Sequence, residues 1–327
     1  MSEQLERPLL PSQPIAGPGE QHSAWAGTGD RALSSPRRGV LPRLTASLRV
    51  RQWTKNALVL GAPVASGRVF DSTVAAGAVT AFVVFCLASS CVYLLNDVRD
   101  VESDRRHPVK QLRPIASGEL PVRAAVAGAV GLGLVAVAAA FTWTPQLGVT
   151  IVVYLAVQAA YSTGLKDQPG LDLAAVAAGF LLRAIAGGVA AGITMSPWFL
   201  LVATFGSLFM VAGKRYSEIR RLGTASGTRR SLESYSESYL RFIWSMAAGV
   251  TVVVYCLWAM AVTSSTAPTP PWALISLAPF VLGLLRYAAD IDRGTAESPE
   301  DIVLADRHLQ VIGVIWLLLV VLHAVSR

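Results

Sequence analysis

The sequence predicts an all-α, polytopic membrane helical bundle of about nine transmembrane helices, and three observations carry that reading. Of 327 residues, 53% are hydrophobic and only 15% are charged, with a mean hydropathy of +0.49; a soluble domain carries about 25% charged residues. The apolar residues gather into runs, most of them close to the ~20 residues needed to cross ~30 Å of hydrocarbon. Several connecting loops are strongly basic, while three others hold no Lys or Arg. In lipid, backbone amides must be satisfied within their own segment, so the runs are helices and not strands.

In chain order, the first 45 residues are rich in Pro, Gly, Ser and Arg ("RPLLPSQPIAGPGEQ", "ALSSPRRGVLPR"). No apolar core follows a basic start, so residues 1–45 read as a disordered cytoplasmic tail and not a signal peptide. Residues 46–327 form the membrane domain. Its apolar runs cover roughly 56–67, 72–95, 120–142, 146–163, 171–191, 196–213, 239–263, 271–289 and 308–325, the first being the shortest.

The loop over 96–119 holds Arg99, Arg105, Arg106, Lys110 and Arg113. The 213–238 loop holds Lys214, Arg215, Arg220, Arg221, Arg229 and Arg230, and Lys166 lies between the fourth and fifth runs. Loops 143–146, 191–196 and 264–270 hold no Lys or Arg. Basic loops mark the cytoplasmic side, which puts the N-terminus inside, the C-terminus outside and the polar chemistry at the inner face of a plasma membrane. The net charge of +7 is accounted for in this way and implies no nucleic acid. Cys86, Cys91 and Cys256 lie in apolar runs without CxxC spacing, as small core residues do.

The second run leads straight into "YLLNDVRDVESDRRHP", residues 93–108. Asp97, Asp100 and Asp104, spaced i, i+3, i+7, stack three carboxylates on one helical face, with Asn96 a turn before Asp100. Like charges so close repel unless a cation sits among them, and hard oxygen ligands of this kind suit Mg²⁺ bridging carboxylates to substrate phosphates. A solvated acidic helix end is the plainer alternative. Against it stands the company on the same membrane face: Lys55 and Asn56 where the first run begins, Arg113, then Tyr161, Lys166, Asp167 and Asp172, and finally Lys214 and Arg215. Arg183 lies inside an apolar run, where an unpaired guanidinium is costly; Asp172, eleven residues earlier and about three turns away, can share its face. Carboxylates for a metal, ringed by Arg and Lys that pair with phosphate oxygens, describe a diphosphate site.

"NDVRDVESD" fits the N-D-x-x-D-x-x-x-D motif of the UbiA superfamily of intramembrane prenyltransferases, and "KQLRPIASG" resembles the segment that follows it there. The nearer resemblance is to one branch, the actinobacterial decaprenyl-phosphate phosphoribosyltransferases. "RQWTKN", "YSTGLK", "RAIAGGVA", "FGSLFMVAGKRYSE", "SLESYSESYLRF" and "LRYAADID" all look like that branch, from about Arg49 to the C-terminus. The superfamily's second motif, D-x-x-x-D, is not reproduced: Asp167 and Asp172 are spaced i, i+5, which puts a second metal in doubt.

The resemblance implies phosphoribosyl diphosphate as donor and decaprenyl phosphate as acceptor, with Mg²⁺ as cofactor, a use in arabinan cell-wall precursors and a homotrimer. It implies Mg²⁺ on Asp97, Asp100 and Asp104, a catalytic part for Asp172, and phosphate contacts from Lys55, Asn56, Arg113, Lys166, Lys214 and Arg215, with Asn96 beside them. Lys166 and Arg183 would face the ribose end. Tyr161 would bond a phosphate or ribose hydroxyl or serve as an interfacial anchor. Asp290, Asp292, Glu300 and Asp301 form an acidic loop, solvated or closing as a lid. The alternative function is prenyl transfer from a prenyl diphosphate to an aromatic acceptor, and a transporter is the rival from another class.

Overall fold

The computed structural model describes residues 40–222, 235–264, 270–296, 302–303 and 305–326, all helix, turn or coil without strand. A short helix, α1 (Val40–Ser47), precedes a 3₁₀ segment, Val50–Leu60, which continues into α2 (Gly61–Ala65). Then come α3 (Ser72–Arg99), α4 (Val101–Arg106), α5 (Val122–Trp143), α6 (Pro145–Thr163), α7 (Leu171–Ala190), α8 (Pro197–Leu222) and α9 (Glu237–Ser264). The described bundle closes with α10 (Trp272–Ile275), α11 (Leu277–Asp292) and α12 (Arg307–Val325). Because α1 is helical, the last residues of the expected 1–45 tail have structure; its first 39 residues lie outside the described ones.

Eight of these stretches are long and apolar enough to cross a membrane as helices: α3, α5, α6, α7, α8, α9, α10 with α11, and α12. The ninth expected run is the 3₁₀ segment with α2. At about 2.0 Å rise per 3₁₀ residue and 1.5 Å per α residue, Val50–Ala65 extends about 30 Å. Its contacts place it antiparallel to α3. Trp53 Nε1 donates to Ser90 Oγ at 3.1 Å and Asn56 Nδ2 to Ser89 Oγ at 3.3 Å. Gly67 lies against Ala324 at the far end of α12. Tight winding gives Val50–Ala65 about the reach of a 20-residue α-helix.

The helices begin where caps are available. Asp71 Oδ1 accepts from Thr73 N at 3.0 Å to start α3, Thr144 Oγ1 from Leu147 N at 3.2 Å to start α6, and Asp306 Oδ1 from His308 N at 2.9 Å to start α12. α4 stops at His107, extended at ψ 131 ahead of Pro108, as a residue before proline must be. The helix α8 runs on to Leu222, so Lys214 to Arg221 are helical and not loop; Arg229 and Arg230 lie outside the described residues.

The packing that positions the polar end is apolar. Phe85, Ile151, Ala186 and Val59 form one cluster between α3, α6, α7 and the 3₁₀ segment. Tyr216, Leu240, Leu173 and Ile291 join α7, α8, α9 and α11 in another. At 28, 26 and 28 residues, α3, α8 and α9 are about 39–42 Å long, well over a ~30 Å hydrocarbon layer. The excess of α3 carries Asp97, that of α8 carries Arg215, and that of α9 begins at Glu237. Overlong helices therefore raise the charged residues out of the lipid at one end.

Candidate active site

The Asp motif straddles a break in helical geometry. Asp100 closes α3 with φ −89 and ψ 7, and α4 resumes after it, although Asp100 N still bonds Asn96 O at 2.9 Å and Asp104 N bonds Asp100 O at 2.8 Å. The expectation of three carboxylates on one face is corrected by this break. Asp97 and Asp104 are buried at 5% and 3% exposure and share a partner, Arg113, whose Nη1 donates to Asp97 Oδ1 at 3.1 Å and to Asp104 Oδ2 at 2.6 Å. Asp100 turns away, half-exposed, towards Lys166 Nζ at 3.8 Å. Asn96 Oδ1 accepts from Ser162 Oγ at 2.6 Å, tying α3 to the end of α6.

A second cation reaches the same oxygen of Asp97. Arg49, at the left-handed corner before the 3₁₀ segment (φ 53), donates to Asp97 Oδ1 and lies 5.2 Å from the Tyr93 ring. Arg113, expected as a phosphate contact, is thus first a counter-ion to two aspartates.

The other half of the site lies across α7 and α8. Asp172 is fully buried; its Oδ1 accepts from Leu173 N at 2.8 Å and from the Tyr235 hydroxyl, and its Oδ2 faces Arg215 Nε at 3.4 Å. Arg215, 4% exposed, also donates to Glu218 Oε2 at 3.0 Å and to Tyr161 OH at 3.4 Å. Lys214 approaches Glu218 at 4.0 Å.

Arg183 is not part of this cluster. Its Nε donates to Asn56 Oδ1 at 2.8 Å, Nη1 to Gly179 O at 2.7 Å and Nη2 to Tyr154 OH at 3.2 Å, and the rings of Phe85, Tyr154 and Phe180 surround it at 5.1–5.7 Å. Asp172 and Arg183 lie on one helix three turns apart, as their spacing predicts, but the rise of about 16 Å between them gives each its own partners. Asn56, read as a phosphate contact, is fully buried and spends its amide on Arg183, Cys86 and Ser89. Lys55 is half-buried on the turn beside it.

Four side chains escaped the sequence reading: Arg49, Ser162, Glu218 and Tyr235. Glu218 ends the quoted "FGSLFMVAGKRYSE" and Arg49 lies two residues before "RQWTKN", and their charge was a usable signal. Tyr235 belongs to no spacing pattern that points at Asp172. Of the acidic loop, Glu300 and Asp301 lie outside the described residues, while Asp292 pairs with Arg220 and Arg241. His107 caps its own turn, with Nδ1 accepting from Val109 N at 3.2 Å and Lys110 N at 3.3 Å.

Chemically this is a ring of Arg and Lys neutralised by carboxylates. Among the described residues no three His, Cys, Asp or Glu side chains come together to enclose a metal by themselves. The hydrogen bonds described engage one oxygen each of Asp97 and Asp104. One or two carboxylates are the share a protein commonly gives Mg²⁺ when substrate phosphates and water supply the rest, so the donor set fits that ion. A second divalent ion does not fit at Asp172, where Arg215 already supplies the positive charge.

The sequence profile of the UbiA prenyltransferase family matches residues 57–321. The decaprenyl-phosphate phosphoribosyltransferase of Corynebacterium glutamicum is 45% identical over 298 residues, covering 90% of each chain. Its namesake from Mycolicibacterium smegmatis is 49% identical over 298 residues, 87% of this chain and 93% of its own. A UbiA homolog from Archaeoglobus fulgidus, solved bound to GPP and Mg²⁺, is similar in fold with a TM-score of 0.64 at 17% identity, covering 87% of this chain and 98% of that one.

Proposed function

The chain belongs to the UbiA prenyltransferase family, and on that premise we propose that it transfers 5-phosphoribose from phosphoribosyl diphosphate to a polyprenyl phosphate, decaprenyl phosphate by its relatives' names. The observation that carries the reading is 45–49% identity to decaprenyl-phosphate phosphoribosyltransferases over 87–90% of this chain. The cation-rich polar end agrees with it, because both substrates are recognised through phosphates.

In this reading a phosphate oxygen of the acceptor attacks ribose C1 as the C1–oxygen bond to diphosphate breaks, and the bonding pair leaves with the diphosphate. Attack from the opposite face inverts the anomeric carbon and gives a β-linked lipid. The acceptor is already anionic, so no strong general base is required. Asp97, Asp100 and Asp104 are the carboxylates that would hold Mg²⁺, which would supply charge neutralisation of the leaving diphosphate. Lys166, Lys214 and Arg215 bind the donor's phosphates, and Arg113, held by Asp97 and Asp104, stands beside them. Tyr161 orients Arg215 or a donor hydroxyl. Arriving phosphates compete with the carboxylates as partners of these cations.

The polar end faces the cytoplasm across the inner membrane, the side to which the basic loops belong. The test is a membrane assay with donor labelled in the ribose. Label should pass into a lipid-phosphate fraction only with polyprenyl phosphate present, and chelation by EDTA should abolish transfer until Mg²⁺ is restored. Prenyl transfer to an aromatic acceptor, with no ribose label in lipid, would overturn the reading.

A further inference from the structure

Tyr235 stands in the connection between α8 and α9, yet its hydroxyl bonds two residues at the start of α7. It accepts from Gly170 N at 2.5 Å, so its proton points to Asp172 Oδ1, also at 2.5 Å. Gly170 adopts φ 81, a conformation that strains any residue with a Cβ. Four residues before Gly170, the same connection carries Lys166 to Asp100. Beyond Asp172, Arg215 is held with its Nε at 3.4 Å from Oδ2, and neither of these two buried atoms makes a hydrogen bond. One phenol therefore sits where the α6–α7 connection, the first turn of α7 and the end of α8 meet.

We propose that Tyr235 is a positioning residue for the transfer reaction: through Gly170 and Asp172 it fixes where Lys166 and Arg215 meet the donor's phosphates. The inference rests on the phosphoribosyl-transfer reading and deepens it by naming what aligns the donor end of the site. The carboxylate of Asp172 lies between two claimants, the Tyr235 hydroxyl on Oδ1 and the Arg215 guanidinium on Oδ2. Without the hydroxyl, Asp172 is free to swing towards Arg215 and pull it off the donor. The Gly170 amide loses its acceptor in the same change, which loosens the turn bearing Lys166. Both effects weaken donor binding and neither reaches the acceptor lipid.

The ring has a separate task. It is 2% exposed, packs in the cluster of Tyr216 and Leu240, and stacks on Tyr239 at a centroid distance of 5.9 Å. Tyr235→Phe keeps that packing and deletes the hydroxyl alone. Burial and the bond to Asp172 push the phenol's pKa up, so it remains a donor at every pH of interest.

The experiment uses the full chain in membranes, with wild type and Y235F assayed side by side. We expect the KM for phosphoribosyl diphosphate to rise about tenfold or more, as the loss of one hydrogen bond to a charged group allows. The KM for polyprenyl phosphate should stay within about twofold, and the ratio of the two enzymes' kcat/KM should be flat between about pH 6 and 9. A Lys166→Ala, Tyr235→Phe double variant should lose less than the product of the single losses, because both act on one turn. A donor KM unchanged in Y235F overturns the proposal. So do equal rises in both KM values with a lowered melting temperature, which would make the hydroxyl merely architectural. Absence of any ribose transfer by the wild type instead overturns the functional reading and this inference with it.

Discussion

Asp97, Asp100 and Asp104 look equivalent in the motif, but their surroundings give them different work. Asp104 is buried against Arg113 at 2.6 Å, whereas Asp100 is half-exposed and reaches only Lys166 at 3.8 Å. Asp104→Asn should therefore lose both activity and about 1–2 kcal/mol of stability, since it leaves the half-buried Arg113 guanidinium with Asp97 as its one described carboxylate. Asp100→Asn should lose about a hundredfold in kcat with the melting temperature unchanged, as removal of one charge-stabilising group does. Equal melting losses in the two variants would show that the break at Asp100 does not separate them. Arg183 gives the opposite case. It sits among three rings and three acceptors and has no described ion pair with the site's carboxylates, and Arg183→Met should cost about 2–4 kcal/mol while leaving both KM values near wild type. Thermal unfolding in detergent alongside steady-state kinetics checks this. The Asp motif was legible because its residues fall within two helical turns; its partners were not. Arg113 returns to Asp97 and Asp104 after a turn at Pro108, and Asp172 meets Arg215 from another helix, whereas helical register alone offered Arg183.

The 3₁₀ segment shows the same limit at the level of an element. Its apolar run was visible, but nothing in composition distinguishes a tightly wound crossing from a truncated helix. What permits it is close approach: a Cβ built on Gly187 of α7 would lie 1.7 Å from Val59 O, and one on Gly77 of α3 would lie 2.3 Å from Ala190 O. Backbone against backbone at these distances cannot be relieved by a rotamer change. Gly187→Val should push the 3₁₀ segment off α7, breaking the Arg183–Asn56 hydrogen bond and costing about 2–3 kcal/mol. Because Arg49 begins the same segment and holds Asp97, the variant should also weaken donor binding at a distance. A stable Gly187→Val protein with an unaltered donor KM would mean the segment's register does not reach the polar end. The long helices α3, α5 and α9 were read within a few residues, since a run of apolar side chains longer than a core needs has no competing explanation.

For the whole molecule the sign of the loops decides orientation, and orientation decides which substrate pool the site can reach. On the proposed function the donor, phosphoribosyl diphosphate, is too charged to cross lipid, and that reading requires the polar end to open to the compartment where the donor is made. The structure separates the two ends sharply: Asp97, Lys166 and Arg215 gather at one, while Phe70, 87% exposed, stands in the turn before α3 at the other. Single cysteines at Lys110 and Phe70, in a chain with Cys86, Cys91 and Cys256 replaced by Ala, turn this into a measurement. A membrane-impermeant maleimide added to intact cells should label Phe70→Cys and spare Lys110→Cys, and permeabilised cells should label both. The reverse pattern would place the carboxylates outside, away from the donor, and the phosphoribosyl reading could not survive it. Labelling of both in intact cells would put the two turns on one side, so that α3, the 28-residue apolar helix between them, does not cross, and the bundle's topology would fall with it.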